Sequence, residues 1–205
     1  MKNINNLKEH VKEKAAELFF RHGPKHVSVD DITLHSGISK KTFYKLFHSK
    51  TDLVKEAADS LIQSHNQLFE TVRSSANDAI EEVLNQDTGQ TLVCKSVRPR
   101  FFYELELFFP DIWKQVEKYK LKVRRGIEDN LRRGKEEGLY REDLNIPVIS
   151  DLRLQQVANL LRPHILTNLS LNLRELVDKL TLFYLRGIST EKGSKQLQKY
   201  IEERS

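Results

Sequence analysis

The sequence predicts an all-α fold, with a small three-helix region at the N-terminus joined to a larger helical bundle. Two observations support this prediction. Apolar residues recur at helical spacing in nearly every segment, and no alternating run of strand type stands out. The length of 205 residues is enough for a small domain followed by a medium one. We therefore expect two domains, 1–50 and 51–205.

The first two helices are marked by their ends. Helix one carries an apolar stripe and ends at Gly23-Pro24. Ser28 stands three residues before Asp31, a capping pattern that predicts a second helix over 29–35. The stripe of the first helix consists of Leu7, Val11, Ala15, Leu18 and Phe19.

Two more helices follow after short turns. A turn at Gly37 leads to a third helix over 39–47, which Ser39 can cap. Ser49 repeats the capping pattern and opens a longer helix over 50–71.

The rest of the chain predicts longer helices, a connector over 139–147, and a polar, frayed tail after residue 188. Pro99 marks either a kink or a new helix start. The predicted helices are 78–85, one from about residue 91 to before Pro110, 111–137, 148–169 and 171–188.

Positive charge is concentrated at the N-terminus. Residues 1–50 contain ten Lys or Arg and five Asp or Glu, which accounts for the whole net charge of +5. The other 155 residues hold 24 basic and 24 acidic side chains. A basic region attached to a neutral one indicates a module that binds a polyanion, although charge alone leaves a solvated surface equally open.

Several classes of protein are not expected. The single cysteine, Cys94, excludes a disulfide framework and a thiolate metal cluster. No apolar run is long enough to span a bilayer, so we expect a cytoplasmic protein without a membrane partner. The sequence shows no nucleophile–base spacing, paired metal ligands or phosphate-binding glycine loop. An enzyme, a metal site and a cofactor are therefore not expected.

The third helix has two unlike faces. Phe43 and Phe47 lie on one side, while Lys41, Tyr44 and Lys45 point the other way. This arrangement fits a helix-turn-helix, in which the second helix of the pair enters the DNA major groove with its N-terminus first.

The predicted DNA contacts follow from the chemistry of each residue. The helix starts at Ser28 and Ser39 suit phosphate oxygens. Lys50 and the Tyr44 hydroxyl can bind the phosphate backbone. The candidates for base edges are Lys40, Lys41 and Thr42, with Lys45 on the same cationic face.

Residues 15–54 resemble the DNA-binding region of the TetR family of transcriptional regulators. The matching positions are the Ala-x-x-Leu-Phe of helix one, Gly23, Val29-x-x-Ile32, Gly37-Ile38-Ser39, Phe43-Tyr44-x-x-Phe47 and Ser49-Lys50-x-x-Leu53. Thr33 and Ser36 depart from the alanines usual in the family, but both are small enough to fit. The resemblance implies DNA-contact roles for Ser28, Lys41, Thr42, Tyr44 and Lys50.

The same resemblance implies a repressor that a small-molecule ligand releases from a palindromic operator. An alternative is an architectural protein that coats DNA and has no effector. A ligand pocket is expected near the aromatic cluster over 98–113, although ordinary core packing explains the same spacing. The candidate ligand-binding residues are Phe102, Tyr103, Glu106, Trp113 and His164.

The last two predicted helices are apolar on more than one face. Such helices need partners on both sides, so we expect a homodimer built from two helices per chain. A fully internal helix pair is the alternative. The predicted interface residues are Val157, Leu160, Leu161, Leu176, Leu180 and Phe183.

Overall fold

The computed structural model of the chain describes residues 2–86, 97–160 and 173–204, which are helical with short connections. The helices are α1 Lys2–His22, α2 Val29–Ser36, α3 Lys40–Leu46, α4 Lys50–Ser75, α5 79–86, α6 Pro99–Phe108, α7 Pro110–Glu136, α8 Ile146–Asn159, α9 Leu173–Ile188 and α10 Glu191–Arg204. An antiparallel bridge between Tyr140 and Ser189 is the only β pairing in this described part. The all-α prediction is confirmed.

Most of the helix boundaries agree with those that the sequence predicts. Pro99 stands at the first turn of α6, so the option of a new helix start is the correct one. The described part of the predicted helix 148–169 is α8, whose last residue is Asn159. Residues 161–172 lie outside the described ranges. No helix within those ranges is both long enough and apolar enough to cross a bilayer.

The prediction of a frayed C-terminal tail is wrong. Residues Glu191–Arg204 form α10, and its side chains Leu197 and Tyr200 are buried in a hydrophobic core. The Tyr200 hydroxyl also donates a 2.7 Å hydrogen bond to Asp78. The tail is ordered because two apolar side chains and one distant carboxylate hold it, although the segment is polar overall.

The chain forms two compact units. The first unit comprises the described residues of Met1–Ser64 and Cys94–Val116, and the second those of His65–Val93 and Glu117–Ser205. Helices α4 and α7 contribute residues to both. The first unit thus extends past residue 50, because α6 packs on α1. The functional assignment of 1–50 and 51–205 stays a prediction.

The core of the first unit is apolar. Phe19, Ile32 and Phe43 have no exposed surface and pack with Phe101 and Leu105 of α6. Burying one such side chain contributes about 1.5–3 kcal/mol. Among the described residues, six helices (α1, α2, α3, α4, α6 and the start of α7) contribute to this core, and it fixes α2 and α3 against α1.

The core of the second unit combines apolar packing with a buried polar network. Tyr140, which is fully buried, donates hydrogen bonds to the Ala79 carbonyl (3.0 Å) and to Asn130 Oδ1 (3.2 Å). Asn130 Nδ2 donates to the same Ala79 carbonyl at 3.0 Å. Gly134 leaves room for the Tyr140 ring, because a Cβ at that position would overlap the ring.

Candidate nucleic-acid interface

The helix-turn-helix is built by local capping. The Ser28 hydroxyl accepts from the Asp31 N–H at 3.1 Å, and the Asp31 carboxylate accepts from the Ser28 N–H at 2.8 Å. This reciprocal pair starts α2. The Ser28 hydroxyl, which donates to the Asp31 carboxylate at 2.7 Å, and then the Ser28 N–H lower the pKa of Asp31. Gly37 ends α2 in the left-handed region with φ 65°, where a side chain would be strained. The predicted caps and turn are confirmed.

Helix α3 presents the two faces that its sequence predicts. Phe43 is fully buried and Phe47 is 6% exposed, whereas Tyr44 is 58% exposed. Lys41 and Lys45 are exposed on the same side as Tyr44. The Ser39 hydroxyl accepts from the Thr42 N–H at 3.1 Å and caps the first turn. The chain therefore anchors α3 by two rings and leaves a cationic face open.

The lysines of α3 differ in their neighbours. Lys40 forms a 2.7 Å ion pair with Asp30 of α2, and this carboxylate raises the pKa of Lys40. In the described residues, no carboxylate forms an ion pair with Lys41 or Lys45. Lys41 and Lys45 are thus the cations that can meet a phosphate or a base edge without first losing a protein partner.

Lys50 has a different environment from the other predicted contacts. Its ammonium is half-buried and donates to the carbonyls of Pro24 (2.8 Å) and Val27 (2.7 Å) in the α1–α2 loop. Burial, followed by repulsion from Lys25, lowers its pKa. Lys50 therefore stabilises this loop, and a phosphate contact from it stays a prediction.

A cavity of about 480 Å³ lies in the second unit, between the C-terminal half of α4 and the middle of α7, with two α5 residues in its wall. Ion pairs join Arg73 to Asp129 (3.2 Å) and Lys122 to Glu70 (3.4 Å) along it. Phe69 and Val123 supply apolar surface. The cavity wall therefore combines apolar surface with many polar and charged side chains.

A histidine and a tyrosine share a hydrogen bond beside this cavity. His65 Nδ1 and the hydroxyl of Tyr119, a lining residue, are 2.6 Å apart. Burial lowers the pKa of His65 to about 4 and raises the pKa of Tyr119. Both groups are therefore neutral at neutral pH, and a ligand there meets a polar but uncharged pair.

Comparison with known proteins agrees with this architecture. Residues 13–57 match the model of the family of bacterial regulatory proteins called tetR. This region contains the capped α2, the Gly37 turn and α3.

The similarity to the tetR family thus covers the helix-turn-helix.

Solved structures of transcriptional regulators are similar in fold over about nine tenths of this chain. A TetR-family regulator from Agrobacterium tumefaciens superposes with a TM-score of 0.77 at 15% identity, covering 91% of this chain and 100% of its own. A protein from Saccharomonospora viridis solved in complex with choline gives 0.79 at 18% identity, with the same two coverages of 91% and 100%. The ketosteroid transcriptional regulator KstR2 of Mycobacterium tuberculosis gives 0.63 at 20% identity, covering 90% and 95%. No curated protein sequence matches significantly.

Four of the five residues predicted to bind a ligand lie outside this cavity. Phe102 and Trp113 pack against the core of the first unit, and Tyr103 and Glu106 are exposed. None of these four lines the 480 Å³ cavity. His164 lies outside the described residues. Phe101 of the aromatic cluster is buried in the core that α6 shares with α1, and Phe102 and Trp113 pack against it. A ligand contact from the predicted residues stays a prediction.

Some of the residues predicted to lie in a dimer interface are buried within the chain, and others are exposed. Leu160 and Leu176 are buried in a small cluster with Val177, and Leu180 packs against it. Val157 is partly buried and contributes to a small cavity with Tyr184. Leu161 lies outside the described residues.

Phe183 is 76% exposed, and α8 adds two exposed apolar residues that the sequence reading missed, Leu152 (63%) and Val148 (51%). Arg153 of α8 contacts Thr181 and Tyr184 of α9, which places Leu152 and Phe183 at a similar height on neighbouring helices. Val148, Leu152 and Phe183 are thus exposed apolar residues on two helices that contact each other.

Proposed function

We propose that this chain is a transcriptional repressor of the TetR family, which binds a palindromic operator as a homodimer and leaves it when a small molecule occupies the cavity. The observation that supports this proposal best is the exposed face of α3. Lys41, Tyr44 and Lys45 point outward while Phe43 on the same short helix is fully buried. A helix held this way can enter a major groove with its cations and hydroxyls free.

The proposed contacts divide by chemistry. Lys41 and Thr42 read base edges, together with Lys40 once it leaves Asp30. The N-termini of α2 and α3, at Ser28 and Ser39, bind phosphate oxygens. Tyr44, Lys45 and Lys50 add phosphate contacts, which supply affinity but carry no sequence information.

Dimerisation through α8 and α9 follows from the exposed surface of Val148, Leu152 and Phe183. Apolar surface of this kind on neighbouring helices is stabilised when a second copy covers it. A twofold dimer carries two α3 helices, and one DNA turn of about 34–36 Å between them calls for a palindromic site.

The cavity in the second unit is the proposed effector site. A ligand can act only by binding one arrangement of the dimer better than another. A hundredfold release from DNA needs about 3 kcal/mol of such coupling. Helices α4 and α7 each contribute residues to the cavity and to the first unit, so they are the proposed transmitters. A DNA-bound regulator of this kind acts in the cytoplasm and is not an enzyme.

The DNA-binding test begins with selection of bound duplexes from a random pool by the wild-type chain. On the selected duplex, Lys41→Ala is expected to weaken binding by about 1–3 kcal/mol and to relax the preference at one base position. Lys199→Ala, which removes an exposed lysine of α10, is the matched control and leaves binding unchanged. Equal binding by wild type and Lys41→Ala contradicts the proposed role of α3.

The dimer test uses sedimentation. Phe183→Asp places a charge on the exposed apolar surface and is expected to give monomers. Tyr103→Asp, at a half-exposed ring of α6, is the control and keeps the dimer. A Phe183→Asp dimer as stable as the wild type overturns the proposed interface.

Effector release is tested by screening small molecules against the complex of the chain with the selected duplex. Release by a compound that no longer acts on a variant with a filled cavity, Gly126→Trp, supports the proposal. Binding that spreads along DNA and responds to no compound supports the architectural alternative.

A further inference from the structure

A buried carboxylate of α6 lies against the loop that precedes the helix-turn-helix. Only 3% of the Glu104 side chain is exposed. One carboxylate oxygen accepts from the backbone N–H of Lys25 at 2.7 Å, and the other is 2.6 Å from His26 Nδ1. Arg100 stands on the same helix with its Nε 3.7 Å from Glu104.

Gly23 makes this close approach feasible. A Cβ at residue 23 would lie 2.5 Å from a Glu104 carboxylate oxygen, and the backbone there has φ +85°. Both facts favour glycine at this position. The loop and the carboxylate therefore fit each other closely.

Other contacts hold the same loop and its neighbours. The Arg98 N–H donates to the Phe20 carbonyl at 2.8 Å, and Phe20 stacks edge to face on Phe101 at 4.9 Å. From the first turn of α4, Lys50 donates to the carbonyls of Pro24 and Val27. The loop over 23–27 thus lies between a carboxylate of α6 and an ammonium of α4.

A carboxylate at this place is informative because its burial is unfavourable unless donors satisfy it. An apolar side chain would fill the same volume at no desolvation cost. What the carboxylate adds is direction, since hydrogen bonds of 2.6–2.7 Å weaken steeply when donor and acceptor move out of line.

We propose that Glu104 is a positioning residue for DNA binding, which fixes the loop over 23–27 and so the N-terminus of α2 that Ser28 caps. The inference rests on the proposed function for its consequence, because an unfixed α2 must be ordered again whenever it meets DNA. Only Phe109 separates α6 from α7, which lines the cavity. Because a hydrogen bond weakens steeply when its atoms move out of line, a displacement of α6 is expected to loosen the loop.

The first experiment follows amide hydrogen exchange and needs no DNA. Glu104→Met removes both acceptors and keeps an apolar side chain of similar length. The Lys25 amide is expected to exchange at least about tenfold faster, while the Phe19 amide inside α1 keeps its rate. Glu106→Met, which removes an exposed carboxylate from the same helix, is the matched control. Unchanged exchange at Lys25 in Glu104→Met overturns the inference.

The second experiment measures binding to the duplex selected by the wild-type chain. Glu104→Met is expected to bind about tenfold more weakly, or about 1.4 kcal/mol, with no loss of melting temperature. Glu104→Gln retains an acceptor for the Lys25 N–H and is expected to recover most of the affinity. Faster exchange at Lys25 with unchanged DNA affinity overturns the positioning role.

Two further outcomes are informative. If the wild-type chain selects no duplex, the proposed function fails, while the exchange experiment still decides whether Glu104 fixes the loop. If Glu104→Met does not fold, His26→Ala removes one partner from the exposed side of the contact. It is expected to speed Lys25 exchange and weaken binding about threefold, and wild-type values for both overturn the inference.

Discussion

The two units differ in what they bury. In the first unit, the buried polar side chains among the described residues are Thr33, Ser36 and Glu104, set in a core of rings and aliphatic groups. The described residues of the second unit include six such side chains: Glu82, Asn130, Ser150, Arg153, Thr181 and Ser189. Apolar contacts anchor α3, and the hydrogen bonds of Glu104 in the first unit go to the loop before α2. The core of the second unit depends more widely on satisfied hydrogen bonds.

This difference determines how many substitutions the core of each unit tolerates. Apolar packing tolerates many substitutions of similar volume. A buried network does not, since each unpaired group is costly. Arg133 illustrates this, because it reaches Glu82, Glu137 and the Ala76 carbonyl from one side chain. Such contacts fix α7 against the segment over 76–82 in one arrangement.

The largest effect is expected from emptying the apolar core. Phe43→Ala removes a fully buried ring and is expected to lower the free energy of unfolding by about 3–5 kcal/mol. Urea unfolding measures this change. Tyr44→Ala, next to it but largely exposed, is expected to cost less than about 1 kcal/mol while it weakens DNA binding. Equal losses of stability at both positions would show that α3 is not anchored by one face.

The next largest effect is a loss of stability at low pH, which arises from His65 in the second unit. The pKa of His65 is about 4 in the folded chain, below its ordinary value of 6.5, so the unfolded chain takes up the proton first. Stability is therefore complete above pH 6.5 and falls as the pH drops towards 4, by about 2–3 kcal/mol.

His65→Gln is expected to remove this part of the pH dependence, measured as the difference in unfolding free energy between pH 7 and pH 4. His10→Gln, at an exposed site of α1, keeps the full dependence. The interpretation fails if the two variants show the same slope.

A smaller effect is expected from the hydrogen-bond network alone. Tyr140→Phe keeps the buried ring and removes the hydroxyl that donates to Ala79 and Asn130. We expect a loss of about 1–2 kcal/mol in thermal unfolding, because the Asn130 oxygen loses its donor. Tyr103→Phe, at an exposed hydroxyl, is the control. No loss at Tyr140 would contradict the view that the network stabilises the second unit.

The smallest change in stability is expected at the surface of the first unit. Asp30→Asn frees Lys40 from its exposed ion pair and is expected to change stability by less than about 1 kcal/mol. Binding to non-specific duplex should strengthen and depend more steeply on salt, by about one phosphate contact. Glu13→Gln on α1 makes the same change in charge. Identical gains from both variants would show that net charge, and not the release of Lys40, is responsible.

The sequence was sufficient where structure is local. The caps at Ser28 and Ser39, the Gly37 turn and the Phe43 anchor all depend on residues a few positions apart, and each is present as predicted. The all-α class followed from periodicity for the same reason.

The sequence was insufficient where partners are distant. The sequence predicts a frayed tail in place of α10, because the acceptor of the Tyr200 hydroxyl, Asp78, lies 122 residues away in the chain. The cavity was missed because spacing shows which side chains are apolar but not which helix they face. The polar role of Glu104 depends likewise on a loop 78 residues earlier.

The tethered ammonium of Lys50 has a consequence for kinetics. A free lysine loses up to about 2 kcal/mol of side-chain freedom when its tip is immobilised. With two N–H groups already directed to Pro24 and Val27, that loss occurs during folding and not at the encounter with a polyanion. The remaining N–H group of Lys50 has a fixed direction, so a phosphate would bind it only in one orientation. Lys50 would therefore contribute to the correct placement of DNA and little to the rate at which DNA and protein associate.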